Sequence, residues 1–157
     1  MKKGPLTSDE VRHLEHRWDV LVSFLDVFGD PTFLAAAGHA KEGRIFRGCM
    51  DGAIATCRAL CERFEVTVKS TAWSAALQPC SSQFKESART AVPTASDQRC
   101  EALWEVLVAA NRCVCHLEDK LIDHNVTPER LADAIELVRD MVRARLNEAK
   151  LSSAVCK

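Results

Sequence analysis

The first hydrophobic pattern along the chain has the period of a helix. Its apolar residues recur every three or four positions, which places them on one helical face. They are Val11, Leu14, Trp18, Leu21, Leu25 and Phe28. Before them, Thr7 and Glu10 match a capping box, in which each side chain accepts a hydrogen bond from the other residue's backbone N–H. After them, Gly29 is typical of a helix end in the left-handed conformation. The pattern predicts a first helix from Thr7 to Gly29, followed by a short helical turn that begins at Asp30 and Pro31.

A second helical pattern runs from about Lys41 to Phe64. Its apolar positions are Phe46, Cys49, Ala53, Cys57, Leu60 and Phe64. Gly48 and Gly52 lie four residues apart inside it, and each costs up to ~1 kcal/mol relative to alanine in a helix. Small residues at this spacing form a flat track, which predicts the close approach of another helix; a kink is the alternative.

The pattern between residues 65 and 98 is less regular. Residues 65–69 alternate between polar and apolar, which favours a short extended piece. Residues 70–77 are compatible with one or two helical turns, and residues 81–92 with a short amphipathic helix that carries Phe84.

A third long helix is predicted from Ser96 or Asp97 to about Asp123. Its main apolar face is Cys100, Leu103, Leu107, Ala110, Val114, Leu117 and Leu121, widened by Trp104, Val108, Cys115 and Ile122. The last helix is predicted to begin at Thr127 and Pro128, an N-cap followed by proline at the first position. Its inward face is Leu131, Ala134, Ile135, Val138, Met141, Val142 and Leu146, and the pattern fades after Ala149.

These elements predict an all-α fold. At 157 residues the chain suits one domain, so we expect residues 1–157 to form a single helical bundle of four to six helices. Short connections favour antiparallel neighbours. Because so many amphipathic faces must be covered, we also expect a homodimer.

Composition limits the function classes. Lys+Arg is 21 and Asp+Glu is 22, so the net charge of -1 excludes a global electrostatic attraction to nucleic acid or anionic membranes. No stretch of about 18 apolar residues and no secretory signal is present, which favours a cytoplasmic protein without a membrane partner. In that reducing compartment the eight cysteines are expected to remain thiols, mostly in the core.

The third helix carries one polar strip on an otherwise apolar surface. At about 100° per residue, the strip is roughly 60° wide. Its members are Glu101, Glu105, Arg112, His116, Asp119 and Asp123. A helix that is apolar nearly all round is usually central, so the strip should face water, a groove or a second subunit. Arg112 and His116, one turn apart, suit a common anion, and Asp119 is placed to orient the histidine ring.

Residues 111–117, Asn-Arg-Cys-Val-Cys-His-Leu, precede one more long helix. This arrangement resembles the HEPN superfamily over about residues 97–146. Members are small all-α bundles; many are dimeric, metal-independent ribonucleases or toxins, and others are inactive partners of nucleotidyltransferases. The resemblance implies that Arg112 and His116 form a catalytic pair for RNA, supplied by both subunits to one cleft. Three residues separate the pair, fewer than in the family's usual signature.

Metal and cofactor chemistry has weaker signals. Cys113, Cys115 and His116 cluster, and Cys57 and Cys61 lie four apart, but no second cysteine pair stands in the register of a zinc site. Buried thiols are the preferred interpretation, so we predict no metal and no cofactor.

Two function classes therefore remain. The first is a non-catalytic bundle that self-associates or binds a protein or small molecule, with a candidate pocket at Trp18, Phe46 and Trp104. The alternative is a HEPN-like ribonuclease or toxin, or its inactive relative, that uses Arg112, His116 and Asp119.

Overall fold

The structure is a computed structural model that describes residues 6–31, 35, 40–70, 80–85, 97–114 and 126–155. These ranges contain four α-helices. They are α1 (Ser8–Gly29), α2 (Ala40–Arg63), α3 (Asp97–Ala109) and α4 (Pro128–Val155). A 3₁₀ turn at Cys80–Gln83 precedes α3, and a π-helical turn at Ala110–Val114 follows it. The predicted all-α class is confirmed, with the helix count of the described part at the lower end of the expected range.

The start of α1 is as predicted, but its end is not. The Glu10 N–H donates to the Thr7 hydroxyl at 3.2 Å, and the Thr7 N–H donates to the Glu10 carboxylate at 2.9 Å, which completes the capping box. The prediction that Gly29 adopts the left-handed conformation is wrong, because no glycine in the described ranges has a positive φ. The helix ends instead where Asp30 becomes extended. Asp30 precedes Pro31, and proline disfavours the helical conformation in the residue before it.

α1 and α2 pack antiparallel. At one end the ring of Phe28 meets that of Phe46 edge to face, with centroids 5.8 Å apart. At the other end Glu10, in the first turn of α1, forms an ion pair with Arg63, the last residue of α2. The two contacts join opposite ends of the helices, so the register of the pair is fixed at both ends.

α3 and α4 are also antiparallel. Arg99, near the start of α3, pairs with Asp140 in the middle of α4 at 2.8 Å. Glu105, farther along α3, pairs with Arg130 in the first turn of α4 at 3.0 Å. α2 and α4 each contact the other three helices, whereas α1 and α3 make no direct contact through their described residues. α2 and α4 therefore form the short diagonal of the bundle.

The core consists largely of the predicted apolar faces. Predicted positions that are fully buried include Leu14, Leu21, Ala53, Cys57, Leu103, Leu131, Ile135, Val138 and Val142. Met50 and Ile54 on α2 are buried beyond the predicted set. α3 is apolar nearly all round, as expected, because residues such as Ala102 and Val106 are buried as completely as its main face.

The third helix is not a regular α-helix over its whole described length. It is α-helical only to Ala109, and the next turn, Ala110–Val114, is π-helical. A π turn holds more residues than an α turn, so positions beyond Ala109 no longer follow the 100° projection. Arg112 is therefore displaced around the helix from the place the strip assigned to it. Residues 115–125 lie outside the described ranges.

The extended piece predicted at residues 65–69 forms only after Glu65, which has a φ of 59°. Val68 forms an isolated antiparallel bridge with Phe84. The Lys69 N–H donates to the Gln83 carbonyl, and the Lys85 N–H donates to the Thr67 carbonyl, both at 2.9 Å. The amphipathic α-helix predicted at residues 81–92 is wrong at 81–85, where residues 81–83 belong to the 3₁₀ turn and Phe84 forms the bridge. Residues 71–79 and 86–96 lie outside the described part, including most of the two helical pieces expected there.

α2 ends in a Schellman motif. The Val66 N–H donates to the Cys61 carbonyl at 2.8 Å and the Glu65 N–H to the Glu62 carbonyl at 3.1 Å, with Glu65 at a φ of 59°. Glycine is the usual residue at this left-handed position. The motif closes the last turn of α2 and holds Arg63 at the end of the helix.

α4 begins as predicted and continues farther than predicted. The Arg130 N–H donates to the Thr127 hydroxyl at 3.3 Å, and Pro128 is the first helical residue. The helix runs to Val155 because no glycine or proline interrupts it after Ala149. None of the described helices, α4 included, has the length and apolarity needed to cross a bilayer.

The two glycines of α2 have different surroundings. A Cβ built on Gly52 would lie 2.9 Å from the ring of Phe24 on α1, whereas one on Gly48 would meet nothing within 4 Å. The predicted close approach therefore holds for Gly52 alone, and the approaching group is an aromatic side chain.

We predict that Gly48→Ala raises the free energy of unfolding by about 1 kcal/mol, through helix propensity. Gly52→Ala should gain clearly less, because the ring of Phe24 must shift to admit the new methyl group. Urea unfolding of both variants measures the difference. Equal gains would show that the Phe24 contact is not restrictive.

Candidate functional site

A cavity of about 290 Å³ lies between the first three turns of α1 and the last turn of α2. We call it the α1–α2 groove. It is lined by Asp9, Glu10, His13, Leu14, Arg17, Ala59, Leu60 and Arg63. The α1 members repeat at three- and four-residue intervals, so they share one face. The antiparallel pairing described above brings the end of α2 against this face.

The groove has an apolar floor and a polar rim. Leu14 and Leu60 are buried at 1% and 2% exposure and form the floor. His13 and Ala59 are exposed at the rim, and Arg17 is half-buried beside it. The groove therefore presents hydrocarbon surface and charged groups together, which is the usual composition of a small-molecule site.

Glu10 belongs both to the cap of α1 and to the groove. Its carboxylate accepts hydrogen bonds from the Thr7 N–H and hydroxyl, and from the Arg63 guanidinium. The hydrogen bonds from Thr7, followed by the positive charge of Arg63, lower the pKa of Glu10, while partial burial opposes them. A general acid needs a pKa near the operating pH, so Glu10 is suited to holding charge and not to transferring protons.

The charges of the groove are not fully paired. Asp9 pairs with Arg12 at 3.2 Å, and Glu10 pairs with Arg63. Arg17 has no carboxylate partner among the described residues. The groove therefore combines two satisfied carboxylates with one guanidinium that remains available to a ligand.

The three rings of the predicted pocket have different contacts. Trp18 lies under the guanidinium of Arg143 on α4, 5.5 Å from the ring centroid. Phe46 packs on Phe28, and the buried indole N–H of Trp104 donates to the carbonyl of Ser70 at 3.2 Å. None of the three rings lines the α1–α2 groove, so a pocket formed by them stays a separate prediction.

Of the predicted catalytic residues, the structure describes only one. Arg112 is exposed within the π turn. His116 and Asp119 lie outside the described residues. The catalytic pair and its cleft between subunits thus stay a prediction.

The first part of the polar strip lies beside α4 and stays partly exposed to water, since the side chains of Glu101 and Glu105 are 41% and 35% exposed. Glu101 and Glu105 lie 3.4 Å and 3.0 Å from the guanidinium of Arg130 on α4. The same guanidinium donates to the backbone carbonyl of Gln98 at 3.4 Å. Sequence reasoning missed Arg130 because a pair between helices depends on their register, which the spacing within one helix does not reveal.

The buried cysteines behave as core residues. Cys57 and Cys61 are fully buried, as predicted. Burial raises the pKa of Cys57 to about 12 and that of Cys61 well above its ordinary value, so both stay protonated and unreactive. Among the described residues, no three His, Cys, Asp or Glu side chains are grouped to hold a metal ion. The side chains of Cys113 and Cys115 lie outside this description.

Comparison of the chain with family models, with curated proteins and with solved structures finds no match.

The lowered pKa of Glu10 predicts a pH-dependent contribution to stability. A carboxyl whose pKa is lower in the folded state stabilises the fold above its unfolded value of 4.5, and this contribution is lost as the pH falls through the folded value. Glu10→Gln should therefore lower the Tm at pH 7, and its difference from the parent should shrink below pH 4.5.

Thermal unfolding followed by circular dichroism from pH 7 to about pH 3 measures this difference. Glu15→Gln, which changes an exposed carboxylate on the same helix, is the control and should follow the parent. A constant deficit of Glu10→Gln at every pH would contradict the assigned ionisation.

Arg130 should stabilise the packing of α3 on α4. Arg130→Met keeps the aliphatic stem but removes the contacts with Glu101 and Glu105, and we expect it to lower the free energy of unfolding by about 1 kcal/mol. Arg12→Met is the control, because Arg12 pairs with Asp9 within α1 itself. Urea unfolding should show a smaller loss for the control. Equal losses would mean that the contact between α3 and α4 contributes no more to the free energy of unfolding than a pair within one helix.

Proposed function

We propose that the protein is a non-catalytic helical-bundle module that binds a small ligand in the α1–α2 groove. The observation that carries this proposal is the joint presence of a buried apolar floor, Leu14 and Leu60, and charged groups in one cavity. The floor provides favourable burial for an apolar ligand, and the rim fixes its orientation.

The size of the groove favours a small occupant. Its volume of about 290 Å³ lies at the lower limit of ligand pockets in general. The paired carboxylates and the lowered pKa of Glu10 favour binding over proton transfer. No reaction is needed to account for the groups that line the groove.

The proposed function does not require the homodimer that the sequence led us to expect. Among the described residues, Ile45 is the only large hydrophobic side chain that is exposed. In the described part of the chain, the apolar helix faces that led us to expect a homodimer are covered by the other helices of the same bundle. The described surface therefore favours a ligand in the groove over a broad apolar contact between subunits.

Binding can be tested with N-phenyl-1-naphthylamine, a neutral dye that fluoresces in apolar surroundings. We expect a saturable rise in fluorescence with one dye per chain. Ala59→Trp should abolish it, because Ala59 is an exposed residue of the groove wall and an indole there would occupy the cavity.

Ala144→Trp is the matched control, since it places the same side chain on an exposed position of α4 away from the groove. This variant should bind the dye like the parent. Circular dichroism verifies that both variants are folded. Dye binding that survives in folded Ala59→Trp, or is lost equally in both variants, would overturn the proposal.

A further inference from the structure

We infer that the ligand of the α1–α2 groove is an amphipathic molecule with a single negative charge, held by Arg17. The inference rests on the proposed function and adds the chemical class of the ligand. It follows from the pairing of charges around the groove and from the position of Arg17 beside its apolar floor.

Arg17 is the guanidinium of the groove that forms no ion pair with any described residue. Arg63 is engaged by Glu10, and Asp9 is engaged by Arg12 outside the groove. Arg17 lines the cavity without a carboxylate partner in the described part of the chain. A half-buried guanidinium is stabilised by an anion that accepts its forked hydrogen bonds.

The position of Arg17 determines where the charge of the ligand lies. Arg17 is three residues from Leu14 on α1, so the guanidinium stands next to the floor. His13, four residues before Arg17 on the same face, offers a ring N–H as a second donor. An acid group at Arg17 would leave the apolar part of the ligand over Leu14 and Leu60, toward the end of α2.

The remaining charges restrict the ligand to one negative charge. The carboxylates of Asp9 and Glu10 line the other end of the groove and would repel a second anionic group. A cationic ligand would face Arg17 and Arg63 instead. The combination favours organic monoanions such as aryl or alkyl carboxylates and sulfonates.

A matched pair of dyes tests the charge. 1-Anilinonaphthalene-8-sulfonate has the skeleton of N-phenyl-1-naphthylamine with one added sulfonate. In the parent protein we expect the sulfonate to bind about five- to tenfold more tightly than the neutral dye, as one charge-assisted contact allows. Arg17→Gln should bring the two dissociation constants within about twofold of each other.

Arg44→Gln is the matched control, because it removes an equal charge at an exposed position of α2 that does not line the groove. It should preserve the preference for the sulfonate. Equal affinity for the two dyes in the parent, or equal loss of the preference in both arginine variants, would overturn the inference while leaving the proposed function intact. Binding of both dyes that is insensitive to Ala59→Trp would instead overturn the proposed function.

Discussion

The antiparallel contact between α1 and α2 is the constraint on which the groove depends. Its register is fixed by the Phe28–Phe46 ring contact at one end and the Glu10–Arg63 ion pair at the other. Between them the ring of Phe24 lies against Gly52, where a side chain would collide. A shift of one helical turn would separate all three contacts. It would also move Ala59 and Leu60 of α2 away from the α1 residues with which they line the cavity.

The local elements could be predicted because their causes are local. The capping box of α1 and the Thr127–Pro128 start of α4 are contained within a few residues, and helical periodicity identifies each buried face. The π turn that follows α3 could not be predicted in the same way. Residues 110–114 carry no glycine or proline, and projection on an ideal helix assumes the regularity that a π turn removes.

The site was harder to predict than the fold because it depends on contacts between helices. From its spacing, Arg17 belongs to a polar side of α1 and would be expected to face solvent. It becomes part of a cavity only because the end of α2 packs beside it. Arg63 and Arg130 have their partners 53 and 25 residues away in sequence. Spacing within one helix gives no information on such pairs, since they depend on the register between helices.

In the proposed function, the charged residues of the groove are divided between folding and binding. Glu10 caps the first turn of α1 through Thr7 and forms an ion pair with Arg63. Substitution of Glu10 would therefore weaken both contacts, and substitution of Arg63 would weaken the pairing of α1 with α2. The fold therefore fixes the acidic end of the groove. Arg17 and His13 carry no such structural contact in the described residues, and substitutions there can alter binding at little cost to stability. Ligand specificity would consequently be set by Arg17 and His13, while the requirements of folding keep Glu10 and Arg63 constant.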